Sequence, residues 1–293
     1  MLPVFGAIGG MIVPAAFFLF FNYGTETQAG AGIPMATDIA FALGVLSLLG
    51  NKVPTSLKIF LTALAVIDDI GAILVIAFFY SKTISLVNLL LALGIFGSLL
   101  IMNRLKIRNL VPYLIGGVAM WYFMLNSGVH ATIAGILLAF AIPFGNGKPQ
   151  SSSYILQHFL HKPVAFFIVP IFVLANTAIV LKGSIANLFT LDYSIGIAAG
   201  LLLGKPVGIF LLSVIAVKSG IGTMPKDLNW KSIFGAGILG GIGFTMSIFI
   251  TLLAFDNVEI VNKAKLAILI SSLVAGVLGY LMLQFILRHR AKN

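Results

Sequence analysis

Apolar stretches of membrane-spanning length dominate this sequence and leave it few folds to choose from. A hydrocarbon layer about 30 Å thick takes about 20 helical residues to cross. Runs of that order, separated by polar or basic breaks, cover approximately residues 2–23, 34–49, 57–80, 84–102, 110–125, 129–144, 164–181, 195–217, 233–255 and 266–287. The composition agrees, since 60% of the 293 residues are hydrophobic and 9% are charged, against roughly a quarter charged in a soluble domain. The expectation is an all-α polytopic membrane protein of about ten transmembrane helices, forming one domain over residues 1–293. The run at 129–144 is the weakest of the ten, and an interfacial or partial helix is its alternative reading.

A formal net charge of +10 would suit a nucleic-acid partner if the basic residues formed a stripe, but they sit at the ends of apolar runs, where they act as topology signals. With the N-terminus inside, the inner connections carry Lys52, Lys58, Arg104, Lys106, Arg108, Lys148, Lys162, Lys218, Lys226, Lys231, Arg288, Arg290 and Lys292. The outer ones keep Lys82, Lys182, Lys263 and Lys265. This asymmetry places both termini in the cytoplasm. There is no Cys, so disulfides and thiolate metal sites are excluded.

Against this background four charges are out of place: Asp38, Asp68, Asp69 and Lys205 all fall inside apolar runs. Asp68, Asp69 and Lys205 lie about halfway along theirs, near mid-bilayer, where an Asp or Lys costs roughly 2.5–3.5 kcal/mol on insertion scales. A structural ion pair of Lys205 with Asp68 or Asp38 would use only one of three carboxylates. Successive helical residues point about 100° apart, so one member of the Asp68-Asp69 pair can face an ion path while the other faces Lys205. Adjacent carboxylates titrate as a coupled unit. A hard monovalent cation takes oxygen ligands, which these carboxylates and the Thr37 hydroxyl supply. Protons and cation then compete for the same oxygens, and that competition is itself a transport mechanism.

Helix-breaking residues surround the site. Gly30, Gly32 and Pro34 precede Thr37 and Asp38, and Gly235, Gly237, Gly240, Gly241 and Gly243 run into Phe244-Thr245-Met246-Ser247. Two interrupted helices would bring half-helix ends together in low dielectric. Asp38 is then expected to balance the first break and Lys205 the second.

The stretches Ala36-Thr37-Asp38-Ile39-Ala40-Phe41-Ala42-Leu43-Gly44, Ile67-Asp68-Asp69, Ser127-Gly128-Val129-His130-Ala131-Thr132, Gly204-Lys205-Pro206 and Gly241-Ile242-Gly243-Phe244-Thr245-Met246-Ser247 resemble the signature segments of bacterial NhaA sodium/proton antiporters. They follow the family's order over almost the whole chain. Paired interrupted helices are a known feature of this same family, so that expectation is not independent of the resemblance. The resemblance implies an inner-membrane exchanger with two inverted three-helix units whose interrupted helices cross. It implies no cofactor and no enzymatic reaction, with sodium, lithium and protons as the partners and more protons than sodium ions moved per cycle. Asp69 becomes the principal ion and proton carboxylate, and Asp68 its partner, paired with Lys205 when sodium is absent. Thr37 and Asp38 take places at the crossing.

His161 matches a family histidine linked to pH response, and a solvated loop histidine accounts for it equally well. Met1 falls where the family's third helix begins. The expectation is therefore a chain truncated by two helices, without the outer hairpin that joins the family's homodimer. His130 is read as a packing or capping residue, and Asn176 and Thr177 as hydrogen-bonding between helices. An intramembrane aspartyl protease would carry a Gly-x-Gly-Asp segment, which is absent. An ion channel would have no need of coupled protonation.

Overall fold

The computed structural model describes residues 1–80, 84–145, 149, 151–177 and 185–290, all statements below being of these residues. Lys82, Lys148, Lys182 and Lys292 of the charge pattern lie outside them. Residues 1–72 and 176–293 form one compact unit and residues 73–175 a second.

Among the described residues every apolar run contains helix, and no strand occurs. In chain order these are α1 (Leu2–Asn22), a 3-10 helix (Gln28–Met35) leading to α2 (Ile39–Ser47), α3 (Thr55–Phe79), α4 (Leu86–Arg104), α5 (Leu110–Asn126) and α6 (Thr132–Ala141). α7 (Ser152–Pro163) passes through a π-helical turn, Val164–Ile168, into α8 (Val169–Thr177). α9 (Asp192–Ala199) likewise passes through the π-helical turn Gly200–Gly204 into α10 (Lys205–Lys218), followed by α11 (Trp230–Gly240), α12 (Phe244–Ala254) and α13 (Val258–Arg290). Among the described residues seven helical stretches are long and apolar enough to cross a membrane, α11 and α12 make one more span bent by 47°, and α5 and α6 are shorter apolar helices. The run at 129–144 is thus helical over only ten residues, Thr132–Ala141.

The first three and last three spans share a plan, in which the middle member is broken.

The second unit is held by two small cores, one of Ala92, Met120, Met124 and Ala134 and one of Leu99, Tyr113, Ala141 and Ile142. His130 Nε2 lies 3.0 Å from the Tyr80 carbonyl oxygen, a packing role as expected. Along α7 and α8, Phe159, Phe166, Phe167, Ile171 and Leu174 are exposed. Apolar faces of this kind are stable in lipid, where burying them against protein brings no hydrophobic gain.

The first unit is packed far more closely. A Cβ on Gly9 of α1 would lie 2.0 Å from the Gly208 carbonyl oxygen of α10, and one on Gly208 would lie 2.1 Å from the Gly9 carbonyl oxygen. Only glycine lets two backbones meet this way, and in lipid such dispersion contacts replace the missing hydrophobic drive. At the C-terminal end of α1, Asn22 Nδ2 donates to the Phe18 and Asp192 carbonyls at 3.0 and 3.2 Å, tying α1 to the start of α9. The α1–α10 contact fixes the height of Lys205. Replacing Gly9 or Gly208 by Ala should destabilise the detergent-solubilised protein by about 1–3 kcal/mol, the usual range for overpacking. Gly94→Ala in α4 should not, because a Cβ there meets nothing within 4 Å. Thermal unfolding of the three variants checks this; equal melting temperatures would contradict the close crossing.

Candidate functional site: a charged crossing of two broken helices

Both glycine-rich segments are interrupted. After Met35 the chain turns extended, with Ala36 at φ −77°, ψ 148° and Asp38 at φ −82°, ψ 98°, before α2 starts. Pro34 lies inside the 3-10 helix and removes one donor there. The second break falls between Gly240 and Phe244. A Cβ on Gly241 would sit 2.3 Å from the Leu201 carbonyl oxygen, so this turn requires glycine. The two interruptions meet and are stitched by a backbone bond, Asp38 N–H donating to the Ile242 carbonyl at 2.6 Å.

Four helix ends therefore meet in the interior, and each is met by a side chain of the opposite character. Asp38 Oδ1 accepts from the Phe41 N–H of α2 at 3.1 Å, and its Oδ2 accepts from the Thr245 N–H and hydroxyl of α12 at 3.1 and 2.5 Å. One carboxylate thus caps two positive helix N-termini. Ser272 Oγ of α13 supplements it, accepting from the N–H groups of Gly243 and Phe244 at 3.2 and 3.1 Å. On the opposite ends, Ser247 Oγ donates to the Ile33 carbonyl at 2.7 Å and Thr37 Oγ1 reaches the Gly240 carbonyl at 2.9 Å. The ammonium of Lys205 donates to the Met35 carbonyl. Asp38 therefore serves both breaks, and Lys205 serves the end of the first rather than the second. The expectation of one charge per break is corrected by the crossing itself, which brings both N-termini within reach of one short side chain.

Asp68 of α3 completes the site. Its Oδ2 accepts from Lys205 Nζ at 2.6 Å, with both side chains fully buried, and from Thr37 Oγ1 at 2.7 Å. A hydroxyl has one proton to donate, so Thr37 serves Asp68 or Gly240 in turn. Oδ1 of Asp68 is buried without a hydrogen-bond partner, and so is Oδ1 of Asp69. Asp69 is half-buried and close enough to Asp68, Lys205 and Asp38 to feel their charges.

Asp38, Asp68, Asp69, Thr37 and Lys205 thus converge in the first unit. His161 lies exposed in α7 of the second unit. Sequence reasoning did not single out Ser247, Ser272 or Thr245 as capping residues. For Thr245 and Ser247 a signal was present, since hydroxyl residues just after a glycine break are good partners for free helix-end groups. Ser272 sits in an ordinary apolar run and carried none.

Removing Lys205 would strand the buried Asp68 carboxylate, and breaking such a pair costs about 3–5 kcal/mol. Lys205→Ala should therefore lower the melting temperature in detergent well beyond the effect of Lys263→Ala, whose exposed pair with Glu259 is dispensable. Equal melting temperatures would contradict the ion pair as a holding element.

Residues 1–283 match the family described as Na+/H+ antiporter 1. The chain is 72% identical over 289 residues to the Na(+)/H(+) antiporter NhaA of Flavobacterium psychrophilum, an alignment covering 99% of this chain and 75% of that protein. It is 58% identical over 293 residues to the NhaA of Cytophaga hutchinsonii, covering 100% of this chain and 76% of that protein. The corresponding protein of Dechloromonas aromatica is 60% identical over 289 residues, with 97% and 74% covered. This multi-pass membrane protein belongs to the Na+/H+ antiporter 1 family.

Proposed function

We propose that this chain exchanges sodium, or lithium, for protons across the bacterial inner membrane, with Asp69 and Asp68 as the seat for which cation and proton compete. The observation that carries the reading is the pair of buried, unpartnered carboxylate oxygens, Oδ1 of Asp68 and Oδ1 of Asp69, beside a single buried ammonium. With all groups ionised, three carboxylates face one amine. A small cation or protons on the carboxylates offset the excess, and in low dielectric one or the other has to. Both oxygens are hard ligands suited to sodium. A cation drawing on Asp68 competes with Lys205 for that carboxylate, and protonation of Asp69 removes its attraction for the cation. Occupancy by one cargo thus weakens the hold on the other, which is the coupling that exchange needs.

Asp38 and Thr37 belong to this site as the groups that hold the broken helices in register beside it, Thr37 Oγ1 touching Asp68 directly. The inside excess of Lys and Arg supports both termini in the cytoplasm. One transport domain over residues 1–293 belongs to the same reading, with His161 as a residue of its pH response.

Everted membrane vesicles carrying this chain, loaded with protons and followed by a pH-sensitive dye, test the proposal. Adding sodium should collapse the proton gradient. Asp69→Asn, present in the membrane at the same level, should reduce that response to background, because the change removes both a ligand and a proton carrier. Sodium-dependent proton movement that persists in Asp69→Asn would overturn the assignment of this seat.

A further inference from the structure

Beside the crossing, a groove of about 450 Å³ runs between α2, the start of α12 and α13. Its floor is the edge-to-face pair of Phe41 and Phe244, ring centroids 4.7 Å apart. These two residues bracket the capped helix ends, since the Phe41 N–H is held by Asp38 and the Phe244 N–H by Ser272. Its walls are apolar and open outward, with Leu48, Leu273, Val277 and Leu281 exposed. A groove so apolar and so open calls for an apolar occupant.

The groove's length and its ends say which. The α13 wall repeats every three or four residues from Leu269 to Leu281, about 18 Å at the helical rise. One leaflet of a hydrocarbon core is about 15 Å deep. The inner end of the groove lies at Ile242 and Ser272, at the helix break, and its outer end at Tyr280 and Leu281. The same face of α13 continues one and two turns further to Gln284 and Arg288, the latter exposed. Arg288 stands about 22 Å along the helix from Leu273, about half the thickness of a membrane of about 40–45 Å with its headgroups. On the other wall, Lys52 is exposed one turn beyond Leu48, in the 3-10 turn Gly50–Lys52. The neighbours of Lys52, Leu49 and Val53, share a core with Leu283 and Leu287 of α13. Two cations thus stand at the polar end of an apolar groove one leaflet deep.

We propose that this groove is a site for an anionic phospholipid of the surrounding bilayer, one acyl chain lying along α13 against Phe41 and Phe244 and the phosphate held between Lys52 and Arg288. The lipid tail then backs the capped crossing directly. The site depends on the membrane-spanning fold and not on exchange, so its test reads lipid contact alone.

The native chain has no Cys, so a single fluorophore can be placed on Leu278→Cys, exposed beside the groove but not lining it. A second labelled protein, Phe166→Cys in the exposed face of the π-helical turn, is the control. Each is reconstituted with phosphatidylglycerol or phosphatidylcholine bearing a nitroxide on the acyl chain. At Leu278→Cys, phosphatidylglycerol should quench at a mole fraction at least about fivefold lower than phosphatidylcholine, the attraction expected of one basic residue near an anionic surface. At Phe166→Cys the two lipids should quench alike. Lys52→Gln with Arg288→Gln should abolish the difference at Leu278→Cys. So should Gly276→Leu, whose first carbon meets Ile242 and Val45 only at 3.6 and 3.9 Å while the rest fills the groove. Equal quenching by the two lipids at Leu278→Cys, or a difference that survives Lys52→Gln with Arg288→Gln, would overturn the proposal. So would protection of this label from both lipids that disappears on diluting the protein, because a second copy of the chain would then be the occupant.

Discussion

The whole arrangement rests on one buried ion pair, Lys205 with Asp68 at 2.6 Å, formed where water cannot screen either charge. In such surroundings a lone ammonium or carboxylate is costly, and the pair stands only because further groups satisfy what it leaves over. Lys205 spends a second hydrogen bond on the Met35 carbonyl, and Asp68 gains the Thr37 hydroxyl. Met35 ends the 3-10 helix and Thr37 lies in the first break itself. The ion pair therefore holds the break in place, and the break gives the ion pair its remaining partners. Asp38 does the same for the opposite polarity, accepting from the first turns of both α2 and α12. Interrupting two helices in lipid would normally leave free backbone groups at each end. Here Asp38, Thr37, Ser247 and Ser272 answer them, and the cost of the breaks is turned into a rigid polar centre.

What the centre does not satisfy is as informative as what it does. Asp68 and Asp69 each keep one buried oxygen without a donor. A static ion pair serving only to join helices would gain from a hydroxyl or amide at those positions. Leaving them open makes a polar seat whose occupant can be exchanged, consistent with the function proposed. The close contact of α1 and α10 through Gly9 and Gly208 supplies the stiffness such a seat needs, because the ligand oxygens must keep their places when the occupant leaves.

Much of this was legible in the sequence, for a physical reason. A hydrocarbon solvent restricts spanning segments to helices and makes a central charge conspicuous, so runs of apolar residues located the helices, eight of them of spanning length among the described residues, and four charges pointed to the site. The breaks were legible as well, from Gly30-Gly32-Pro34 and Gly240-Gly241-Gly243. Which charge answers which helix end was not legible. That depends on the crossing geometry, which lets Asp38 reach two N-termini and sends Lys205 to Met35. Residues 129–144 gave the poorest boundaries, because helix occupies only Thr132–Ala141 and the flanking Val129 and Ile142 are apolar without being helical. The glycine contact of α1 with α10 was hidden too, since glycine is common in membrane helices and its partner 199 positions away, from Gly9 to Gly208, cannot be read from one chain.

The central claim is that cation and protons occupy the same carboxylates by turns. Calorimetric titration of the detergent-solubilised protein with sodium, repeated in two buffers of different ionisation enthalpy and at several pH values, measures it directly. The account predicts that binding sodium releases protons to the buffer and that the apparent dissociation constant rises as the pH is lowered through the titration of the site. Sodium binding with no proton release and a dissociation constant independent of pH would contradict it.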